Sequence, residues 1–508
     1  MKRKHILLTL SIGILLVGCS KEKLNDLSQE SSPIPNKAAI DAFIKIHLES
    51  GEVFRWETAG PDLLAGALIH SDSVAFVGYK PANETNIKDK IHEIDVKSPE
   101  WMAARQKVIN RIVEKTNELY PGQNFSQADL LLSDETETFP SIDIKIFNEA
   151  VVDMLRKMPE VRYVEPGSYS MDEVGYRSDS GCGGSAPSSI PAADYTPTAP
   201  DAKISWHLDY MNVPAAWSIT SGDGVTVCLI DTGVSPNQDK LGSSFNSGQS
   251  QGRFLDKTGT YVSSWWWWAS PDGPNDQCGH GTSMAGLIAA PRGYNGTSIG
   301  VAYNADLLAI RGTGDVIING SSEKTGVKNG LKIAGDRSDV KVISMSLGDI
   351  FWSSKVADGI YYAYNKGKMI IAAAGTSTSF TNWVGVIFPA SMSETVAVTG
   401  VKDGSPMQEC DVCHTGSAVD FVAVMQRRND NSRTALTLSM SGNQVDRVGG
   451  SSAATATTAG IAALIWSTNL SQTRTQVFNR MKTSASFYPN KSNSFGWGII
   501  NAGQAVAN

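Results

Sequence analysis

At 508 residues the chain is too long for one ordinary hydrophobic core, and two or three structural units are expected. Apolar residues make up 41% and charged residues 19%, the balance of a globular protein. The net charge of −7, with no basic stripe, leaves nucleic-acid binding without an electrostatic footprint.

The N-terminus reads as a targeting signal. Lys2, Arg3 and Lys4 precede the apolar run Ile6 to Val17, which is too short to span a bilayer comfortably. The run ends in Leu16-Val17-Gly18-Cys19, which resembles the lipobox of bacterial lipoproteins. The resemblance implies acylation at Cys19 and a membrane tether; a plain secretory signal is the other reading. On this view residues 1–19 form the signal and lipobox, and polar residues 20–37 form a flexible tether. Export places the chain where disulfides persist. With Cys19 reserved for lipid, Cys182, Cys228, Cys278, Cys410 and Cys413 remain, an odd number that leaves at least one thiol free or paired outside the chain.

Residues 38–170 carry an α+β pattern. Helical periodicity covers 38–48 and 102–119, strands are expected at 73–79, 142–147 and 161–164, and a helix at 149–157 ends before Pro159. Residues 171–203 are rich in Ser, Gly, Pro and Ala and read as a linker. From residue 204 to 508, apolar strand runs at 225–230, 307–310, 342–345, 369–373 and 395–401 alternate with helices such as 283–290 and 355–364. That alternation predicts an α/β unit, a mostly parallel sheet with helices on both faces.

Three segments carry chemistry. Asp231-Thr232-Gly233 follows the strand 225–230, at the end of a parallel strand where sites are built. Gly279-His280-Gly281-Thr282 opens an apolar helix, and Gly449-Gly450-Ser451-Ser452 opens a small-residue helix whose free N–H groups favour negative charge. A serine hydroxyl needs a base, and a histidine base needs a carboxylate to fix its tautomer. The chain supplies Asp, His and Ser in that order, each at an element boundary.

In that order these segments resemble the Asp, His and Ser signatures of the subtilisin family of serine peptidases. Further segments agree: 206–217 with the entry to the first core strand, Ala372-Ala373-Ala374-Gly375 with the strand leading to the oxyanion hole, and Gly496-Trp497-Gly498 through Asn501 with the C-terminal segment. The resemblance covers roughly residues 204–508. It implies a subtilisin-like fold and peptide-bond hydrolysis through an acyl-enzyme by Asp231, His280 and Ser452. It further implies protein or peptide substrates whose main chain pairs with Ser346, Leu347 and Gly348. No cofactor is required by that chemistry; calcium sites occur in the family, but no acidic loop here names ligands. Residues 151–165 resemble the end of the family's propeptide, which implies that 38–170 assists folding, inhibits the site and is cut off between about 167 and 201.

The sequence departs from the family at several points. Thr376 stands where an asparagine usually donates to the oxyanion, Ser283 replaces a second histidine, and Ser451, Ala453 and Ala456 replace Thr, Met and Pro around the nucleophile. Loss of an oxyanion donor costs about 10²–10³ in turnover, so Thr376 argues for a slowed enzyme, or for a catalytically impaired binding lipoprotein as the rival reading. Cys410-Asp411-Val412-Cys413-His414 matches a c-type haem attachment pattern, against a local disulfide or packed thiols. Trp265 to Trp268 read as indoles partly buried against the body, or as an aromatic rim.

Overall fold

The computed structural model describes residues 34–132, 138–172, 182, 189–263, 270–376 and 384–508. Cys19 and the whole signal, most of the tether, and Trp265 to Trp268 lie outside the described residues.

The N-terminal unit forms where the periodicity places it. Helix α1 (Lys37–Leu48) is capped by the Asn36 side chain accepting from Ala39 N, and α2 (Pro61–Ile69) starts on a proline that has no N–H to leave unpaired. Strand β1 (Val74–Tyr79) is the centre of an antiparallel sheet. Helix α3 (Pro99–Leu119) buries Val108, Ile109 and Ile112 on one face. Strand β2 (Ser141–Lys145), helix α4 (Glu149–Arg156) and strand β3 (Val161–Pro166) complete the unit, with strand order β2-β1-β3. Helix α2 had no expectation from sequence.

The predicted linker 171–203 contains a hairpin that belongs to the following body. Strand β4 (Tyr195–Thr198) pairs with β5 (Ala202–Ser205), which also pairs with residues 297–298. Asp194, fully buried, is held by Arg433 and by Arg447 at 2.5 Å. A buried carboxylate needs such partners, so the body begins well before residue 204.

The body is built on β6 (Thr226–Asp231), β7 (Leu255–Gly259), α5 (His280–Ala289), β8 (Thr297–Ser298), β9 (Asp306–Arg311), α6 (Ser321–Asp336), β10 (Val340–Met345), α7 (Ser354–Asn365), β11 (Met369–Ala373), β12 (Thr395–Lys402), β13 (Phe421–Arg427), β14 (Asp430–Leu438), β15 (Val445–Val448), α8 (Gly450–Ser467), α9 (Arg474–Thr483) and α10 (Ala502–Ala507). Nine strands run in the order β15-β14-β13-β12-β11-β10-β6-β9-β7. The seven from β13 to β7 are parallel; β14 and β15 extend the sheet antiparallel. The central strands are buried end to end, because helices cover both faces: α5 and α8 pack in one cluster with Val227, Val342 and Ile371, and α6 and α7 in another with Cys228, Ile343 and Ile370. The alternation of those neighbours along β6, β10 and β11 is the two-residue period of a strand. Among the described residues, no helix is long and apolar enough to cross a membrane.

The N-terminal unit docks on α6 and α7. Arg162 forms a two-pronged pair with Asp358 at 2.9 and 2.6 Å, and Tyr163 Oη reaches the same carboxylate at 3.3 Å. Glu165 accepts from Ser354 N at 2.9 Å and Lys355 N at 3.3 Å, a carboxylate seated on a helix N-terminus. Phe54 joins the body's backbone directly, donating to Ile350 O at 3.0 Å and accepting from Trp352 N at 2.8 Å.

Candidate functional site

Asp231, His280 and Ser452 all sit at the C-terminal edge of the parallel strands. Asp231 is the last residue of β6, His280 the first of α5 and Ser452 lies in the first turn of α8. Two glycines make the turns: Gly279 (φ +98°) before α5 and Gly450 (φ +76°) opening α8, conformations an L side chain resists.

The carboxylate and the imidazole are joined. Asp231 Oδ1 accepts from His280 Nδ1 at 2.8 Å and from Thr232 N at 2.8 Å, with both side chains almost fully buried. Burial alone would lower the His280 pKa, but the charge and hydrogen bond of Asp231, with Asp276 and Asp315 beyond, raise it above the ordinary imidazole value. Asp276, which sequence reasoning missed, organises both loops. Its Oδ1 accepts from Thr232 Oγ1, Cys278 N and Gly279 N, and its Oδ2 from Thr282 N and Thr282 Oγ1, all between 2.6 and 2.9 Å. Thr232 Oγ1 in turn accepts from Gly281 N at 2.9 Å. No spacing in the chain marks Asp276; only the density of small polar residues around it does.

The serine side is looser. Ser452 Oγ donates to Ser346 O at 3.4 Å, outside the usual range for a hydroxyl bond, while Ser346 Oγ donates to Ser452 O at 2.9 Å. Among the described residues, Ser452 Oγ makes no hydrogen bond to His280. Thr376 stands on the far flank. Its Oγ1 shares a 2.9 Å hydrogen bond with Ser451 Oγ and accepts from Ser451 N at 3.3 Å. Threonine therefore grips the residue before Ser452.

The edge expected to take substrate main chain is already engaged. Gly348 N donates to Val316 O at 3.0 Å, and Gly348 O accepts from Ile318 N at 3.2 Å. Ser346 and Leu347 lie just beyond β10 as expected, and Leu347 is buried in the core. The segment 316–318 gave no signal in sequence.

Both disulfides flank the site. Cys182 joins Cys278, two residues before His280, and Cys410 joins Cys413. Cys278 is thus a bridged residue. Among the described residues Cys228 is the free cysteine, buried in the sheet, and burial pushes its thiol pKa up. The haem reading of residues 410–414 fails, because the two sulfurs it needs are bonded to each other. His414 instead packs behind the oxyanion strand: its N–H donates to Gly375 O and its Nδ1 lies 3.0 Å from Gly385 O. Among the described residues, no group of three or more His, Cys, Asp or Glu side chains converges to hold a metal.

The parallel sheet, the buried carboxylate–imidazole pair at its edge and the serine at a helix start define the class of α/β serine hydrolases. The family model for the subtilases, Peptidase_S8, matches residues 222–498, and the chain belongs to that family. It is 31% identical over 231 residues to thermitase of Thermoactinomyces vulgaris, a match covering 45% of this chain and 73% of thermitase. It is 25% identical over 398 residues to an alkaline protease of Alkalihalobacillus alcalophilus, covering 78% of this chain and 86% of that protein. The second match is longer than residues 204–508, so it reaches into the N-terminal unit. The chain is accordingly a subtilisin-like serine endopeptidase, with the α/β fold and the small α+β unit expected from sequence.

Proposed function

We propose that Ser452 is the nucleophile, His280 its base and Asp231 the carboxylate that orients His280. The observation that carries this is the buried 2.8 Å bond between Asp231 and His280 at the sheet edge that also holds Ser452. Ser452 Oγ attacks the substrate carbonyl carbon and its proton passes to His280 Nε2. The imidazolium then protonates the departing amine, and water repeats the sequence on the acyl-enzyme. The Ser452 N–H, at a helix start, supports the developing oxyanion, with the Thr376 hydroxyl held beside it through Ser451. Ser346, Leu347 and Gly348 bind substrate main chain once residues 316–318 give up their bonds to Gly348. These steps use side chains and backbone alone. A fluorophosphonate probe tests the reading: the wild type is labelled and Ser452→Ala is not, and equal labelling of both would overturn it.

The same proposal assigns the unit 38–170 as an inhibitor. Support comes from the buried Arg162–Asp358 pair and the Glu165 cap. Tyr169 Oη donates to Asp41 Oδ1 at 2.6 Å and Asp172 N to Asp41 Oδ2 at 3.0 Å, which folds residues 169–172 onto α1, and Cys182 beyond them is bridged to Cys278 beside His280. Because β4 and Asp194 are built into the body, the cut belongs before residue 190. Export and acylation at Cys19 rest on the N-terminal sequence, and the two disulfides agree with an oxidising compartment. Mass spectrometry of the mature N-termini, with a fatty-acid label, tests both.

A further inference from the structure

We propose that the loop 410–414, closed by the Cys410–Cys413 disulfide, is a positioning clasp for the oxyanion side of the site. It holds Thr376, and Thr376 holds Ser451 and with it the N–H of Ser452. The inference rests on Ser452 being the nucleophile, and it concerns residues that act through Thr376 rather than on the substrate.

The loop is closed twice. Cys413 N donates to Cys410 O at 3.0 Å, and the two sulfurs are bonded. Strand β12 holds it at both ends: Cys410 N donates to Gly400 O at 3.1 Å, and Thr399 Oγ1 donates to His414 O at 2.6 Å. Its second end also pairs with the segment after β11. Cys413 forms an antiparallel bridge with Thr376, and His414 N donates to Gly375 O at 3.0 Å. A Cβ on Gly400 would stand 2.7 Å from Cys413 Sγ and 3.1 Å from Gly450 O, so the sulfur, the sheet and the turn that opens α8 meet at one point. A Cβ on Gly450 would stand 3.0 Å from Thr376 Oγ1, the atom bonded to Ser451. Contact thus runs from Cys413 to Thr376 to Ser451, the residue before Ser452.

Thr376 needs such a hold. It is exposed, and it follows Gly375 at φ +127°, where no side chain restricts the backbone. The buried His414 ring fills the space instead, its Nδ1 2.5 Å from where a Cβ on Gly375 would lie. The disulfide contributes little through chain entropy, because its cysteines are 3 positions apart, against 96 for Cys182 and Cys278. Its consequence is local geometry at Thr376.

The test uses the full chain after its own processing, a peptide p-nitroanilide and a fluorophosphonate that counts reactive serines. Cys410→Ser with Cys413→Ser should lower kcat per labelled serine about tenfold, less than the roughly 10²-fold of a misplacement of about 1 Å. KM should stay unchanged, the mark of an interaction used only in the transition state. The same pair of substitutions in a Thr376→Val background should cause no further fall, because both act through one contact. If the paired variant does not fold, Thr399→Val frees the loop at His414 O and should lower kcat in the same way by less. A merely structural bridge would lower the melting temperature or the labelled fraction and leave kcat per labelled serine unchanged. That result, or an equal fall in the Thr376→Val background, would overturn the inference. A wild type that is neither labelled nor active would instead overturn the catalytic reading, and this inference with it.

Discussion

The two sides of the site are built differently. On the Asp231–His280 side, buried loops are cross-braced by Asp276, which accepts five hydrogen bonds, and by the Cys182–Cys278 bridge. On the Ser452 side, the hydroxyl has one long bond to a backbone oxygen, and Gly348 is paired with residues 316–318, which a substrate bound as proposed would displace. Electrostatic catalysis depends on dipoles fixed before charge develops. The first side is already joined by hydrogen bonds, whereas on the second Ser452 Oγ reaches a backbone oxygen at 3.4 Å and Gly348 is bonded to residues 316–318. The proposed base is thus preset, and the proposed nucleophile and substrate edge are held less tightly.

Breaking the preset side should cost most. Asp231→Asn keeps the size of the side chain but favours the wrong imidazole tautomer, and kcat is expected to fall about 10⁴-fold. Asp276→Ala leaves the proposed triad in place and frees Cys278, Gly279, Thr232 and Thr282 together. A misplacement of about 1 Å costs roughly 10²-fold, so kcat should drop by about that factor. Steady-state assays of both variants rank the two effects, and an Asp276→Ala enzyme with wild-type kcat would mean that the bracing is not needed. On the Ser452 side, Thr376→Val removes the hydroxyl and with it the grip on Ser451. Its expected loss is about tenfold, less than the 10²–10³ of a direct donor, because the Ser452 N–H remains. A loss as large as that range would place the Thr376 hydroxyl itself on the oxyanion.

The difference between the sides also explains what the sequence disclosed. Asp231, His280 and Ser452 were legible because each stands at an element boundary next to glycines, where residue type and chain order carry the signal. The central strands were legible because burial on both faces leaves uninterrupted apolar runs such as Met369–Ala373. Asp276 and residues 316–318 were not legible: Asp276 gathers donors from residues 2 to 6 positions on and from Thr232, 44 before it, a pattern without a motif, and residues 316–318 act through Gly348, far along the chain. The hairpin 195–205 was hidden for another reason. Pro197 and Pro200 and the surrounding small residues imitate a linker, and only the buried Asp194 with its arginines shows that the segment is fixed.

The pH dependence separates the sides once more. As the proposed base, His280 must be neutral to accept the serine proton, and Asp231 holds its pKa above the ordinary 6.5. The acid limb of kcat/KM should therefore lie above pH 6.5, and Asp231→Asn should move it down. Asp349, next to Gly348 on the Ser452 side, works on stability instead. Its carboxyl is buried, and burial pushes its pKa up to about 7 from 3.8, against the lowering effect of Lys324 and of the Ile350 and Phe351 N–H groups. The folded state holds the proton more tightly than the unfolded state, so the stability from this group is complete below about pH 4. It declines as pH rises through about 7. Urea unfolding of the Ser452→Ala protein, chosen to prevent self-digestion, should show a fall on the order of 2 kcal/mol from this group between pH 5 and 8. Adding Asp349→Asn should flatten that fall, since an amide keeps the shape and cannot ionise. An unchanged slope would show that Asp349 gains a partner or water in solution, and that the substrate edge is more open than the closed pairing of Gly348 with residues 316–318 implies.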